Sequence, residues 1–261
     1  MARVVSLFYV DAFTHRLYGG NPAAVCLLSH WLNDNTLQNI AAEINFSETA
    51  FLVKRQQDFE LRWFSPVKEV DLCGHATLAS AHVLYRHLNY VQEHVSFYTK
   101  SGVLRVELDG EFFRLDLPRK EPQTCAVPAI LSKALGAMPL DVLRTDDYLV
   151  LLESEDLLMQ IKPDFDLLTT LDCRGIIATA HSDTVDFVIR FFSPSLGVNE
   201  DPVTGSALCT LAPYWAGRLG KTHLSSRQLS KRGGYLMCDL TDDRVLITGQ
   251  AVTFMAGQLY I

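Results

Sequence analysis

Phe59-Glu60-Leu61-Arg62-Trp63-Phe64-Ser65-Pro66 returns half a chain later as Phe187-Val188-Ile189-Arg190-Phe191-Phe192-Ser193-Pro194, with five of the eight positions identical. In both copies an aromatic-rich run with the composition of a strand meets Ser-Pro, and proline cannot continue a central strand. The segments that follow also match in type, with a register shift of three residues. They are Leu72-Cys73-Gly74-His75-Ala76-Thr77-Leu78-Ala79 and Val203-Thr204-Gly205-Ser206-Ala207-Leu208. Each reads as a glycine turn opening a helix whose sides are nearly all apolar or small, as expected of a helix buried on every face. Two sheets, each wrapped around its own central helix, satisfy this pattern, and duplication of an ancestral unit accounts for the repeat.

Working outward, the chain has 261 residues, 48% of them hydrophobic and 20% charged, enough for two compact domains. The stretch from Pro118 through Arg119, Lys120, Glu121, Pro122 and Gln123 to Pro128 is polar and proline-rich and reads as the linker. The expected domains are therefore 1–118 and 125–250, with a final strand near 250–261 free to return to the first. Met1 to Asp11 reads as a first strand closed by Asp11, without a small-residue cleavage site. No uncharged apolar stretch reaches the roughly 18 residues of a membrane span. A soluble, cytoplasmic protein with no membrane partner is the expectation.

The charge balance, 23 Lys plus Arg against 30 Asp plus Glu for a net −7, and the lack of a basic block with interleaved aromatics argue against a nucleic-acid partner. Six cysteines (Cys26, Cys73, Cys125, Cys173, Cys209 and Cys238) lie far apart, with no CxxC and no Cys/His ligand spacing. Neither a disulfide framework nor a metal site is expected. Gly19-Gly20-Asn21-Pro22 is too short to cradle a nucleotide and reads as a loop.

Each repeat opens a buried helix whose first N–H groups lack helical partners. The N–H groups of Gly74-His75-Ala76 and Gly205-Ser206-Ala207 are thus candidate donors to a small carboxylate, with no basic side chain needed. Ordinary helix starts after glycine turns give the same pattern. Glu48, in Asn45-Phe46-Ser47-Glu48-Thr49-Ala50-Phe51-Leu52-Val53, reads as a strand residue sharing an apolar row with Phe46, Ala50 and Leu52. A carboxyl buried in such a row has a raised pKa suited to general acid/base work. An edge-strand Glu facing water or paired with an arginine fits the same pattern. His75 and Asp201, at equivalent ends of the two repeats, are expected to place an imidazole and a carboxylate beside the same anion site. Separately, each also reads as a plain cap or turn residue, and Lys68, Glu69 and Asp71 read as a solvated turn.

Four ordered motifs, Gly20-Asn21-Pro22-Ala23-Ala24-Val25, Ser47-Glu48-Thr49-Ala50-Phe51, Cys73-Gly74-His75-Ala76-Thr77 and Glu200-Asp201-Pro202-Val203-Thr204-Gly205-Ser206-Ala207, resemble the PhzF, or phenazine-biosynthesis-like, family. The resemblance runs from the first strand to Gly249-Gln250-Ala251-Val252. It implies an α+β, diaminopimelate-epimerase-like fold: two similar domains, each a curled, mostly antiparallel sheet around a central helix, an active site between them, and homodimers. It further implies an isomerase that needs no cofactor, with Glu48 as the acid/base and His75, Asp201 and Ser206 lining the site. In the best-known member the reaction is isomerisation of dihydro-3-hydroxyanthranilate. The related two-cysteine racemases and epimerases carry a cysteine ahead of each glycine turn. Here Cys73 stands at the first position but Thr204 at the second, and a threonine hydroxyl is too weak an acid and base to replace a thiol. That leaves Cys73 as a packing relic.

Overall fold

The computed structural model describes residues 4–261. The first three residues of the expected opening strand lie outside the described residues. The chain divides into two compact units, one running to Asp116 and including Ile247–Ile261, the other spanning Leu117–Leu246.

The first unit opens with β1 (Val4–Ala12) and β2 (Asn21–Leu28), an antiparallel pair. Asp11 lies inside β1 rather than closing it, buried, with Oδ2 accepting the N–H of Tyr18 at 3.0 Å. Helix α1 (Asp34–Ile44) is capped by Asn33, whose side chain accepts the N–H of Thr36 at 2.9 Å, and it ends at Asn45 in the left-handed region. It carries the chain back to β3 (Glu48–Arg55), parallel to β2. An antiparallel hairpin leads to β4 (Asp58–Phe64), which stops before Ser65-Pro66. The short β5 (Glu69–Val70) pairs back on β4, and α2 (Gly74–His87) crosses to β6 (His94–Thr99), parallel to β4. β7 (Gly102–Asp109) and β8 (Phe112–Pro118) complete the meander.

Every residue of α2 from Gly74 to Leu84 is buried, because the strands curl around it. β3 is consequently buried on both sides over Thr49–Leu52, with α1 packed against one face and α2 against the other. This is why strict alternation of exposure fails there.

The second unit contains β9 (Gln123–Thr124), α3 (Leu131–Leu135), β10 (Asp141–Arg144), β11 (Tyr148–Leu151), α4 (Glu155–Gln160), α5 (Phe165–Thr169), β12 (Ile176–His181), β13 (Phe187–Ser193), β14 (Val198–Asp201), α6 (Leu208–Leu219), β15 (His223–Gln228), β16 (Gly234–Leu240) and the first half of β17 (Arg244–Gly249). β10/β11 and β12/β13 are antiparallel, β11/β12 and β13/β15 parallel, and β14 folds back antiparallel on β13. The first unit shows the same succession in β1 to β6. Helix α6 takes the place of α2, buried from Leu208 through Pro213. The final strand, β18 (Ala251–Tyr260), pairs antiparallel along β1 in the first unit. No helix among the described residues is long and apolar enough to cross a membrane.

Candidate active site

Parallel neighbours begin at the same end of a sheet. The β2/β3 pair, in register at Ala23 and Glu48, therefore brings Asn21 and Glu48 to one edge of the first unit. Helix α2 starts there too. Glu48 is the first residue of β3, Asn21 the first of β2, Cys73 the cap of α2 and His75 its second residue.

Gly20 sets the approach. Its φ of +63° is left-handed, and a Cβ there would stand 2.1 Å from the carbonyl oxygen of Ala12. With glycine in place the chain turns tightly into β2 and Asn21 is fully buried. Gly20-Asn21-Pro22 is thus the start of a strand, not wholly the loop that its composition suggests.

The imidazole of His75 is the hub. Nε2 lies 3.3 Å from Glu48 Oε2 and 3.4 Å from Ser47 Oγ, while Nδ1 lies 3.2 Å from Asn21 Nδ2 and 3.5 Å from Cys73 Sγ. Ser47 donates to Asn21 Oδ1 at 3.3 Å, in an amide orientation that turns the nitrogen towards the ring. An amide nitrogen only donates, so Nδ1 is the acceptor and the ring proton resides on Nε2, facing the Glu48 carboxylate. Burial pushes the imidazolium pKa of His75 down to about 3, and the ring is neutral at ordinary pH. A neutral Nε2–H donor beside a carboxylate stabilises the ionised, basic form of Glu48.

Glu48 keeps 19% of its side chain exposed, so it is half-buried, short of the full burial expected from its apolar row. Ala50 and Leu52 on its row are buried as the alternation predicts. Phe46 is not part of that row: it precedes the strand, in a bend after Asn45, and its ring packs on Tyr9 at 4.4 Å. The N–H groups of Gly74, His75 and Ala76 precede the first helical bond of α2, from Thr77 N–H to Cys73 C=O at 3.2 Å.

The second unit carries its own cluster. Asp201 ends β14 and is buried; its carboxylate accepts from the Thr204 hydroxyl, and its carbonyl accepts from Gln228 Nε2 at 2.7 Å. Gln228 Oε1 also takes the N–H of Thr204 at 2.8 Å. The Thr204 hydroxyl thus donates to Asp201. Gly205–Ala207 forms a 3-10 turn leading into α6, and Ala207 N–H already bonds Thr204 C=O at 3.1 Å. Gly205 and Ser206 are left as the backbone donors ahead of it.

Ser206 Oγ accepts from Arg174 Nη1 at 3.2 Å, and Arg174 in turn clasps the buried Asp147, Nε to Oδ1 at 2.8 Å and Nη2 to Oδ2. A guanidinium therefore stands at this helix start, where the sequence suggests backbone groups alone. Arg174 and Asp147 sit in no motif and have no sequence signal. Asn21 has one, in its Gly-Asn-Pro run, but its ring contact depends on the β2/β3 pairing.

Glu69, expected in a solvated turn, is instead held by Arg62, Nε to Oε1 at 2.7 Å and Nη2 to Oε2 at 2.8 Å. Arg190 and Glu200 repeat this fork in the second unit at 2.7 and 3.0 Å. Both pairs tie the strand carrying the repeated motif to the hairpin that precedes the buried helix.

Glu48, Cys73 and His75 offer ligand atoms that all lie within 4.8 Å of one another. Folding therefore creates a donor cluster that linear spacing does not reveal.

Comparison with known proteins places these clusters in context. The profile of the family described as phenazine biosynthesis-like protein (PhzC-PhzF) matches residues 10–257. A Pseudomonas aeruginosa protein named an uncharacterized isomerase is 51% identical, with 98% of this chain and 99% of that protein covered. A human phenazine biosynthesis-like domain-containing protein is 38% identical over 97% of this chain and 98% of its own. Among solved structures, a PhzF-family protein of Enterococcus faecalis superposes with a TM-score of 0.95 at 44% identity, covering 99% of this chain and all of the other. A probable proline racemase from Agrobacterium radiobacter shares the fold, at TM-score 0.67 and 12% identity over 98% of this chain and 92% of its own.

Proposed function

The chain belongs to the phenazine biosynthesis-like PhzC-PhzF family of isomerases, and from that premise we propose that it isomerises a small carboxylate-bearing substrate by a proton shift that needs no cofactor. The observation that carries this reading is the contact between Glu48 Oε2 and the neutral Nε2–H of His75 at 3.3 Å. In the proposed step, the Glu48 carboxylate takes a proton from one substrate carbon. The C–H electron pair forms a new double bond to the neighbouring carbon, the former π pair moves to the far carbon of the allylic system, and the Glu48 carboxylic acid returns the proton there. Atoms and charge balance with nothing added.

His75 keeps its proton throughout, since its hydrogen bond serves to hold the Glu48 oxygen and to favour the carboxylate. Asn21 fixes the tautomer that makes this donation possible. The substrate-holding roles fall to the N–H groups of Gly74 and Ala76 and to those of Gly205 and Ser206, since the Ala207 N–H is taken by Thr204, with Asp201 as a second proton-handling group. A homodimer is part of the proposal; sedimentation equilibrium returning the mass of one chain would remove that element alone.

The test is proton NMR in D₂O with a panel of cyclic and amino carboxylic acids, dihydro-3-hydroxyanthranilate among them. Wild-type protein is expected to incorporate deuterium or move a double bond in at least one acid. Glu48→Gln is expected to lose this by about 10²–10⁴-fold while retaining the fold. Exchange that survives in Glu48→Gln rules Glu48 out as the proton carrier.

A further inference from the structure

Cys73 has no part in the proton shift, yet its sulfur lies beside the groups that do. Sγ is 4.0 Å from His75 Nε2 and 3.5 Å from Nδ1, and Glu48 Oε2 is 3.3 Å from Nε2. With metal–sulfur bonds of about 2.3 Å and metal–nitrogen or metal–oxygen bonds of about 2.0–2.2 Å, the edges of a tetrahedral site are about 3.3–3.6 Å. The oxygen–nitrogen edge at Nε2 already has this length. The sulfur–nitrogen edge exceeds it by a few tenths of an ångström, and all three donor atoms fall within 4.8 Å. Closing the triangle requires the Cys73 sulfur to turn from the Nδ1 side of the ring towards Nε2 and to approach the Glu48 carboxylate from within 4.8 Å, leaving a fourth position for water.

The surroundings suit such an ion. To ligate through Nε2, His75 carries its proton on Nδ1, and that proton needs an acceptor. Asn21 supplies one when its amide turns over: Oδ1 then faces Nδ1–H, and Nδ2 donates to Ser47 Oγ in place of the bond now running from Ser47 to Oδ1. Nitrogen, oxygen and sulfur donors together select zinc-like cations over magnesium or calcium.

We propose that Glu48, Cys73 and His75 form a binding site for a thiophilic divalent cation of the zinc type, and that its binding arrests the isomerase. Binding releases the thiol proton of Cys73 to solvent and occupies the carboxylate. The arrest, unlike binding itself, rests on the proton-carrying role proposed for Glu48.

The experiment uses tag-free full-length protein stripped with EDTA, titrated with Co²⁺ and then with Zn²⁺. Expected are one equivalent of Co²⁺ bound with a thiolate-to-cobalt absorption band in the near ultraviolet, and displacement of the band by Zn²⁺. Cys73→Ser is expected to abolish the band, and Glu48→Gln to weaken binding by at least about tenfold while keeping it. Replacing the partly exposed Cys125 and Cys173 with serine is expected to leave the titration unchanged. If Cys73→Ser misfolds by circular dichroism, Cys73→Ala takes its place. Absence of saturable Co²⁺ binding, or a band that survives loss of the Cys73 sulfur, overturns the proposal. Because the band is read without substrate and deuterium exchange is read in EDTA, failure of the cation site is distinct from failure of the isomerase reading.

Discussion

At the scale of single residues, the site depends on which ring nitrogen of His75 carries the proton. Asn21 decides this through a bond of 3.2 Å to Nδ1. Asn21→Ala removes that constraint, so the variant is expected to fold yet lose about 10–100-fold in exchange rate, read by NMR in D₂O beside wild type. Gly20 acts one step further back. In Gly20→Ala the new Cβ meets the Ala12 carbonyl at 2.1 Å, and the backbone entering β2 must move. The variant should lose stability by about 1–3 kcal/mol in urea unfolding and lose exchange with it. Wild-type behaviour on both measures contradicts the role given to this turn. The sequence offers Glu48 and His75 as candidates, an acid on an apolar row and an imidazole at a helix start, each matched by a plain structural reading, and the family resemblance is what gives them roles. It does not show that Asn21 reaches the ring or that Arg174 reaches Ser206, since both contacts arise from strand pairing between distant segments.

At the scale of elements, the repeated Phe-x-x-Arg-x-Phe-Ser-Pro pattern marks two strands that each end at Ser-Pro and lead to a buried helix. The strands are visible in sequence because aromatic residues and a proline stop are local signals. The Arg–Glu forks across β4/β5 and β13/β14 are not, because Glu69 and Glu200 look like surface acids until the hairpin closes. Burial of Arg190 is the more demanding case: besides Glu200 it donates to the carbonyls of Leu158 and Ile161 at 3.1 and 2.9 Å. Arg190→Leu leaves those acceptors and a part-buried carboxylate without their donor, a loss of about 3 kcal/mol by denaturant titration.

A second element-scale feature joins α2 to β18. His82 Nε2 and His87 Nε2 lie 2.8 and 2.7 Å from the Thr253 hydroxyl, which donates to one and accepts from the other. Burial, reinforced by the neighbouring His87 and Arg86, lowers the pKa of His82 from 6.5 to about 4. A histidine whose folded pKa is depressed binds its proton more readily when unfolded. Its contribution to stability is therefore complete above pH 6.5 and declines as pH falls towards 4. His82→Leu should flatten that part of the stability–pH curve, followed by urea unfolding across the range.

At the scale of the whole molecule, the two units share one succession of parallel and antiparallel pairings, and the chain's end returns to its beginning. β18 pairs with β1 from Val4 to Ala12, so a chain cut before Ile247 leaves β1 without one neighbour along its length. Such a truncation is expected to abolish cooperative unfolding in circular dichroism; a wild-type transition in the shortened chain contradicts it. The account as a whole turns on a carboxylate held by a neutral imidazole, and long-range ¹H–¹⁵N NMR of histidine-labelled protein reads that state directly. From about pH 5 to about pH 8 it should show one ring, identified by its loss in His75→Gln, protonated at Nε2 and unprotonated at Nδ1 throughout. A His75 ring that titrates near its ordinary 6.5, or that carries its proton on Nδ1, contradicts the account.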